Sequence, residues 1–244
     1  MDHLSKVYGI GPVILSKLVH RLVALGYDRA KFKDNSYTKA ETLRMLKTPV
    51  IYDTLPAAAK AYIKYKPQRA IPRKVMDKLN AELSSKVHGL KFVIAGSYRR
   101  GAPVSNDADI IIVKRNSTTS TIERFIRALI GSQIELLPPY AVGEDRISTM
   151  FRITVEKKQY VIKSDVFITN PDDYMFMLLY ATGSGGFNII MRAQAKRRGY
   201  LLNQKGLFRD GVKVPLNNEK AIFDEIGVKY RIPEERNISI YKKK

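Results

Sequence analysis

The feature that most constrains this chain is a pair of aspartates that opens an apolar strand soon after a Gly-Ser turn. An apolar run over residues 92–95 predicts one buried strand, which leads into Gly96 and Ser97. The next apolar run begins with Asp107 and Asp109, and alternation along a strand points both carboxylates to the same side. Two like charges held close together repel each other and lose hydration unless a cation neutralises them.

This pair of carboxylates is typical of a site that binds phosphates with the help of a metal ion. Oxygen ligands suit Mg²⁺, which usually binds through one or two carboxylates plus substrate phosphates. Nine residues separate Ser97 from Asp107, so the Gly-Ser turn is well placed to hold those phosphates. An isolated Asp-x-Asp is more often a solvated turn or a strand end. In combination with the turn and the two apolar strands, it predicts a nucleotidyl-transfer site.

The composition favours a polyanionic partner. The chain has 244 residues, and its 43 lysines and arginines against 23 aspartates and glutamates give a formal net charge of +20. Such an excess favours nucleic acid. A membrane surface is the competing polyanion, but no run approaches the ~20 apolar residues of a spanning helix, and no signal-peptide pattern opens the chain. We therefore expect no membrane partner.

The residue types that are rare in this chain exclude several other chemistries. The chain has no cysteine, which excludes disulfides, zinc-thiolate sites and thiol catalysis. Its three histidines are scattered at His3, His20 and His88, which argues against a histidine metal site or a Ser-His-Asp triad. We expect an intracellular monomer. The nucleus and a compartment of a virus-infected cell both fit, and the sequence does not decide between them.

Hydrophobic periodicity predicts an α+β chain in three parts. Residues 1–70 are helical and basic, 71–171 mix helices with strands, and 172–244 form a small α/β subdomain. The predicted helices are 55–66, 72–87, one near 119–131 and one that starts after 170–173, and the predicted strands are 91–95, 108–113, 148–155 and 159–168.

Segment 96–112 resembles the Gly-Ser-x9-Asp-x-Asp signature of the nucleotidyltransferase superfamily and, more narrowly, that of DNA polymerase family X. Three further stretches carry the narrower resemblance in the same order along the chain. Residues 7–12 resemble the family's second helix-hairpin-helix, 180–193 its sugar-sensing and minor-groove segment, and 202–233 its C-terminal end. The resemblance implies a nucleotidyltransferase-type palm with a mixed β-sheet, preceded by a helix-hairpin-helix subdomain and followed by a subdomain that binds the nascent base pair.

The resemblance implies that a third carboxylate, Asp165, completes a metal site with Asp107 and Asp109. Asp165 lies in an apolar strand, where a charge is costly without a partner. By resemblance, Asp107 and Asp109 bridge two Mg²⁺ ions, for which Mn²⁺ can substitute, while Asp165 holds only the catalytic ion. Whether Asp165 also accepts the proton of the primer 3′-hydroxyl stays open at this point.

The resemblance also implies contacts to the incoming dNTP. Ser97 and Arg100 are expected to bind the triphosphate, Asn188 the minor-groove edge of the base, and the turn at Tyr180 and Gly183 the sugar. The complete expected nucleotide-binding set is Gly96, Ser97, Arg100, Asn106, Tyr180, Gly183 and Asn188. Asn106 replaces a glycine that is frequent in the family, so its side chain either crowds the site or contacts phosphate.

Contacts to primer-template or gapped DNA are expected at two places. The glycines Gly9 and Gly11 leave backbone N–H groups accessible to duplex phosphates, although they also suit an ordinary packed corner. Arg192 resembles a template-strand contact one helical turn after Asn188 and on the same face.

Several positions depart from the family pattern. No segment before the hairpin corresponds to the lyase domain of cellular members, so we carry over no lyase activity. Ala181 stands where an aromatic residue is usual beside the sugar, which predicts weaker selection against ribonucleotides. Ala70 stands where an arginine could reach the triphosphate, a role left to Arg69 or Arg73.

The sequence therefore predicts a template-directed DNA polymerase that fills gaps during DNA repair, such as base excision repair. Two alternatives stay open. One is a template-independent terminal nucleotidyltransferase, and the other is a catalytically inactive DNA-binding module.

Overall fold

The computed structural model describes residues 2–7, 9–114, 120–139 and 141–238. The chain forms two compact units, Met1–Pro67 and Gln68–Lys244. The first unit therefore ends three residues before the predicted boundary at residue 70. The further division at 171/172 stays a prediction. Residue 119 of the predicted helix, Tyr8 of the hairpin motif and the tail 239–244 lie outside the described residues.

The first unit is helical, as the sequence predicts. Its core is formed by apolar residues such as Leu18, Leu22, Phe32 and Leu46, all nearly inaccessible to solvent. The predicted helix 55–66 is shorter than expected. The helices of the first unit are α1 (Asp2–Ser5), α2 (Pro12–Ala24), α3 (Arg29–Lys33), α4 (Lys39–Leu46), α5 (Pro49–Tyr52) and α6 (Ala57–Tyr65), the last of which corresponds to the predicted helix 55–66.

The second unit mixes helices and strands. The helices are α7 (Arg73–Lys86), α8 (Gly96–Arg99), α9 (Thr121–Ala128), α10 (Tyr174–Thr182), α11 (Gly185–Arg197) and α12 (Glu219–Glu225), with 3-10 turns at Pro171–Asp173 and Pro233–Arg236. The strands are β1 (Ile71–Pro72), β2 (Phe92–Ile94), β3 (Val104–Ser105), β4 (Ala108–Val113), β5 (Ile134–Leu136), β6 (Ala141–Val142), β7 (Arg146–Val155), β8 (Lys158–Thr169), β9 (Leu201–Asn203), β10 (Gly206–Arg209) and β11 (Val212–Lys213). In the described part of the chain, no helix is long and apolar enough to cross a membrane.

The central sheet is mixed and has six strands. Its order is β2-β4-β8-β7-β5, with β6 added to β7, and only β4 and β8 run parallel among these pairs. The apolar residues of the sheet pack against α7 and α9 in one core, which includes Leu79 and Phe125. Strands β9, β10 and β11 form a separate antiparallel sheet beside α11 and α12. The mixed sheet confirms the predicted α+β class.

Three local predictions are corrected by the structure. The predicted Gly-Ser turn is the beginning of the short helix α8. Asp107 does not belong to a strand, because β4 begins one residue later at Ala108. Pro72 lies in strand β1 and precedes α7, so it is not within the first helical turn.

A buried ion cluster connects α8 to the C-terminal part of the second unit. The Glu219 carboxylate accepts hydrogen bonds from Arg99 (Nη2, 3.0 Å) and Arg236 (Nη1, 2.6 Å). Arg236 is 0% exposed and Glu219 only 10%. Burial by itself raises the pKa of Glu219, but the hydrogen bonds from the two arginines outweigh it and lower the pKa below its usual value.

Candidate active site

Strand register brings the predicted carboxylates together. Asp109 on β4 and Asp165 on β8 are direct partners across the parallel pair. Ser148 on β7 is the antiparallel partner of Asp165 and donates its hydroxyl to Oδ1 of that carboxylate. Asp107 immediately precedes β4. The position predicted for Asp165, on a strand beside that of Asp109, is confirmed.

Two of the three carboxylates have a cationic partner. Lys163 Nζ lies 3.1 Å from Asp107 Oδ2. Arg146 approaches Asp165 with two nitrogens, Nη2 at 2.8 Å from Oδ2 and Nε at 3.3 Å from Oδ1. Sequence reasoning missed both cations, because a lysine and an arginine in strands give no signal of what they face.

The two ion pairs do not fully cancel the repulsion of Asp109 by the negative charges of Asp107 and Asp165. Burial raises its pKa first, and the charges of Asp107 and Asp165 raise it further. The opposing influence of Lys163 and Arg146 is smaller, so the pKa of Asp109 reaches about 7. A further positive charge near Asp109 would therefore be bound favourably.

The donor set fits a divalent cation that prefers oxygen ligands. Asp109 and Asp165 on adjacent strands, with Asp107 directly before β4, are oxygen donors of the kind that such a cation prefers, and the negative charge of Asp109 is not fully compensated by the neighbouring cations. As the side chains stand, no group of three histidine, cysteine, aspartate or glutamate residues in the described segments converges on one point that could hold an ion. The ion pairs of Asp107 and Asp165 explain this, because both carboxylates are oriented toward side-chain cations.

The close approach of α8 to Asp109 requires glycine at position 96. Gly96 has φ +58°, in the left-handed region that favours glycine. A Cβ at this position would lie 2.5 Å from Asp109 Oδ2. The next residue, Ser97, donates its hydroxyl to Ser105 (2.9 Å), which fixes the side chain beside this approach.

We expect Gly96→Ala to displace Asp109 and to lower the catalytic rate by about a hundredfold, a loss of ~2–3 kcal/mol in transition-state stabilisation. Gly185→Ala is the matched control, since Gly185 also lines the cavity described below but has nothing within 4 Å of a Cβ. Rate measurements on both variants test this, and equal losses would contradict the assigned role of Gly96.

Arg100 is oriented by two groups that lie far away in the sequence. Its Nε donates to Asn237 Oδ1 (2.8 Å), and its Nη1 donates to the carbonyl oxygen of Thr182. Burial lowers the pKa of Arg100, although the charges of Asp109 and Asp107 act in the opposite direction. Arg99, the neighbour of Arg100, donates to the Thr182 hydroxyl (2.7 Å) and to Glu219.

Two predictions near the phosphate side have specific outcomes. Asn106 accepts a hydrogen bond from the backbone N–H of Ala70 (3.3 Å), so its side chain is exposed but engaged. Arg73 donates to the carbonyl oxygen of Tyr98 (3.1 Å) and lies over the ring of that tyrosine. Arg73 therefore packs against Tyr98 in the structure, and its role in place of the arginine missing at position 70 stays a prediction, as does that of Arg69.

The segment from α10 to α11 forms the opposite wall of the site. Asn188 donates to the carbonyl oxygen of Tyr180 (2.8 Å). The guanidinium carbon of Arg192 lies 5.5 Å from the centre of the Tyr180 ring, and the edge-on ring of Phe167 lies 6.4 Å from it. Asn188 and Arg192 lie one turn apart on α11, as predicted.

All the predicted site residues of the second unit line one cavity of about 530 Å³. They are Gly96, Ser97, Arg100, Asn106, Asp107, Asp109, Asp165, Tyr180, Gly183, Asn188 and Arg192. Arg146 and Phe167 also line it, and neither was predicted from the sequence. A larger cavity of about 680 Å³ lies within the first unit, between α2 and residues 54–56, and contains none of the predicted residues.

The predicted DNA-binding glycines lie in the first unit and differ from each other. Gly9 has φ +86°, and a Cβ there would lie 2.9 Å from Ala58 and from the backbone of Ala59, so Gly9 is required for packing against α6. Gly11 is the N-cap of α2, with nothing within 4 Å of a Cβ. The hairpin therefore combines a packed corner at Gly9 with an open backbone at Gly11.

The raised pKa of Asp109 predicts a pH-dependent stability. The folded protein holds the Asp109 proton more tightly than the unfolded chain, so stability falls as the pH rises from about 4 to about 7. Asp109→Asn keeps the shape but removes the charge. In EDTA at pH 8 we expect the free energy of unfolding to rise by ~1–3 kcal/mol, less than the full shift because Asp109 is partly exposed.

Urea unfolding at pH 5 and pH 8 tests this prediction. Asp165→Asn is the matched control and should show no gain, because Asp165 loses an ion pair with Arg146. From pH 5 to pH 8, the free energy of unfolding of the parent protein should fall relative to that of Asp109→Asn. If it does not fall, the assigned pKa is wrong.

Three carboxylates at one end of a mixed sheet, with the glycine-led helix α8 closely approaching one of them, are the arrangement expected of a nucleotidyltransferase. The family model of the DNA polymerase beta palm matches residues 70–161, and that of the DNA polymerase beta thumb matches residues 177–237. Repair DNA polymerase X of African swine fever virus (strain Badajoz 1971 Vero-adapted) is 30% identical over 174 residues, which cover 67% of this chain and 95% of the viral protein. The chain belongs to DNA polymerase family X.

Two further relatives cover almost the whole chain. DNA polymerase lambda of Arabidopsis thaliana is 26% identical over 261 residues, which cover 96% of this chain but 46% of the plant protein. The crystal structure of Leishmania infantum polymerase beta in a ternary P/T complex superposes with a TM-score of 0.79, at 25% identity and with 97% of each chain covered. The protein is thus a DNA polymerase in fold and in family.

Proposed function

We propose that this DNA polymerase fills gaps in DNA under repair, transferring a nucleotide from a dNTP to a primer 3′-hydroxyl under the direction of a template strand. One observation carries the proposal: strand register places Asp109 opposite Asp165, in a cavity that also contains Ser97, Arg100 and the wall at Tyr180. The names of the viral repair polymerase and of the structural neighbour with its primer-template complex support templated repair synthesis.

We infer that Asp107, Asp109 and Asp165 hold the metal ions of the reaction. Two Mg²⁺ ions, or Mn²⁺ in their place, would supply the positive charge that lowers the pKa of the 3′-hydroxyl and stabilises the leaving pyrophosphate. Ser148 and Arg146 orient the Asp165 carboxylate through hydrogen bonds.

The triphosphate is bound in this proposal by Ser97 and Arg100. The Ser97 hydroxyl and the N–H groups of α8 are donors, and the Arg100 guanidinium offsets negative charge on the leaving group. Two groups fix the guanidinium, Asn237 and the Thr182 carbonyl, so its remaining N–H donors can be directed to the ligand. Asn106, the neighbour of Asp107, also contacts the nucleotide in this proposal. Its side-chain oxygen accepts a hydrogen bond from the backbone N–H of Ala70.

The remaining contacts in this proposal concern the sugar, the base and the DNA. Tyr180 and Gly183 line the side of the cavity assigned to the sugar, and Asn188 and Arg192 extend along the face of α11 toward the base pair and the template. Gly9 and Gly11 support contacts to duplex phosphates, and the net charge of +20 predicts salt-sensitive binding.

Primer extension with Mg²⁺ on a one-nucleotide-gapped duplex tests the proposal, with an open primer-template and a lone single strand as comparison substrates. Incorporation of only the complementary nucleotide, fastest on the gapped duplex, is the expected result. Extension of the single strand alone would show a terminal nucleotidyltransferase. Tight DNA binding without incorporation on any substrate would show an inactive binding module.

A further inference from the structure

Phe167 supplies the aromatic ring that packs against Tyr180. The two ring centres are 6.4 Å apart and the planes meet at 85°, an edge-to-face arrangement. Phe167 follows Asp165 by two residues on β8, so alternation puts the carboxylate and the ring on the same face of the strand, and both line the cavity.

The chain neighbour of Tyr180 cannot provide such support. Ala181, the next residue on α10, has only a methyl group and supplies no ring. Ala181 and Phe167 belong to the same small apolar cluster around Ala95, Ile111 and Met177. Phe167 on β8 therefore provides the aromatic contact to Tyr180 that position 181 of α10 lacks. It lies 13 positions before Tyr180 in the sequence.

The ring of Phe167 is itself held from the other side. The guanidinium carbon of Arg146 lies 5.3 Å from its centre, and the same guanidinium forms the ion pair with Asp165. At the other end of the row, Arg192 lies over the ring of Tyr180. Cations and rings thus alternate along the cavity wall, an arrangement in which each contact is favourable.

The backbone of Tyr180 is fixed as well. Asn188 donates to its carbonyl oxygen, and Gly183 begins the turn three residues later. Both the ring and the carbonyl oxygen of Tyr180 are therefore held in position. As long as the contact with the Phe167 ring is present, Tyr180 has little freedom to move away from the 2′-hydroxyl of a ribonucleotide.

We propose that Phe167, held by Arg146, is a positioning residue that fixes Tyr180 and thereby sets the preference of this polymerase for deoxyribonucleoside over ribonucleoside triphosphates. The inference rests on the proposed function of the cavity. It revises the expectation that alanine at position 181 weakens sugar selection, because the aromatic contact comes from β8 instead.

The test compares kcat/KM for a dNTP and for the matching rNTP on the one-nucleotide-gapped duplex. In Phe167→Leu we expect the ratio of the two values to fall about five- to tenfold, which is the range expected from losing one aromatic pair. Phe167→Tyr keeps the ring and should restore the ratio to within twofold of the parent. Arg146→Gln should lower the ratio in the same direction as Phe167→Leu.

A second measurement separates positioning from loss of packing. If Phe167 acts through Tyr180, then Phe167→Leu introduced into Tyr180→Ala should change the ratio no further. Phe125→Leu is the control, because Phe125 forms a comparable edge-to-face pair with Phe151 (6.4 Å, 78°) in the core of the sheet. That variant should lower the melting temperature and leave the ratio unchanged.

The outcomes of this test are distinct from those of the proposed function. If Phe167→Leu slows dNTP and rNTP incorporation by the same factor, the ratio is unchanged and the inference is wrong, although the polymerase assignment stands. If the two variants lower the ratio additively, Phe167 does not act through Tyr180 and the inference is also wrong. A parent protein without incorporation of either nucleotide would instead overturn the proposed function.

Discussion

Asp107→Asn should lower the rate of nucleotide incorporation by about a thousandfold or more, which corresponds to ~4 kcal/mol of lost transition-state stabilisation. The reason is that an amide oxygen lacks the negative charge with which, in the proposed mechanism, this carboxylate holds a cation beside the triphosphate. Asp107 forms an ion pair with Lys163 in the structure, so the substitution also removes the negative charge that Lys163 neutralises. Single-turnover incorporation on gapped DNA measures the effect, and fluorescence anisotropy should show nearly unchanged DNA affinity.

Asp210→Asn is the matched control for this substitution. Asp210 lies in the exposed turn between β10 and β11 with φ +51°, a conformation that asparagine tolerates well. Its incorporation rate should stay within about twofold of the parent, since no transition-state contact is lost. An Asp107→Asn rate within about tenfold of the parent would show that Asp107 is not a metal ligand.

Glu219→Ala should lower the free energy of unfolding by ~3–5 kcal/mol, because it leaves the buried Arg236 and the partly buried Arg99 without their shared carboxylate. The loss is larger than for a surface ion pair, since Arg236 is fully buried and cannot regain its hydration in the folded state. Urea unfolding followed by circular dichroism measures the change. Arg99 also contacts Thr182, so the variant should in addition loosen the turn that leads to Gly183.

Asp224→Ala provides the control on the same helix. Asp224 forms an exposed ion pair with Lys220 (2.6 Å) one turn away on α12, an interaction of ~0.3–0.5 kcal/mol. Glu219→Gln keeps a hydrogen-bond acceptor but loses the charge, and its loss should fall between those of the two alanine variants. Equal losses in Glu219→Ala and Asp224→Ala would contradict a structural role for the buried cluster.

Residues that act through local spacing were predictable from the sequence. The short spacing between Asp107 and Asp109, and their distance from Gly96 and Ser97, identified these residues, because both relations involve neighbours within a few positions. The helices and strands that were predicted for the second unit agree to within a few residues with α7, α9, α10, β2, β4, β7 and β8, whereas its other helices and strands were not predicted. The strand predicted over 108–113 has the bounds of β4, but Asp107, which was expected at its start, precedes it, since local pattern does not show where hydrogen bonding to the next strand begins.

The sequence alone determined the class of the protein and predicted the residues that the structure brings together in one cavity, because strand alternation and the order of motifs depend on neighbouring positions. Only the tertiary structure decided what surrounds them. Arg146 faces Asp165 across 19 positions, and Arg100 meets Asn237 across 137. Such pairs depend on strand order and register. These result from the packing of residues throughout the core, so they cannot be predicted from any short stretch of sequence.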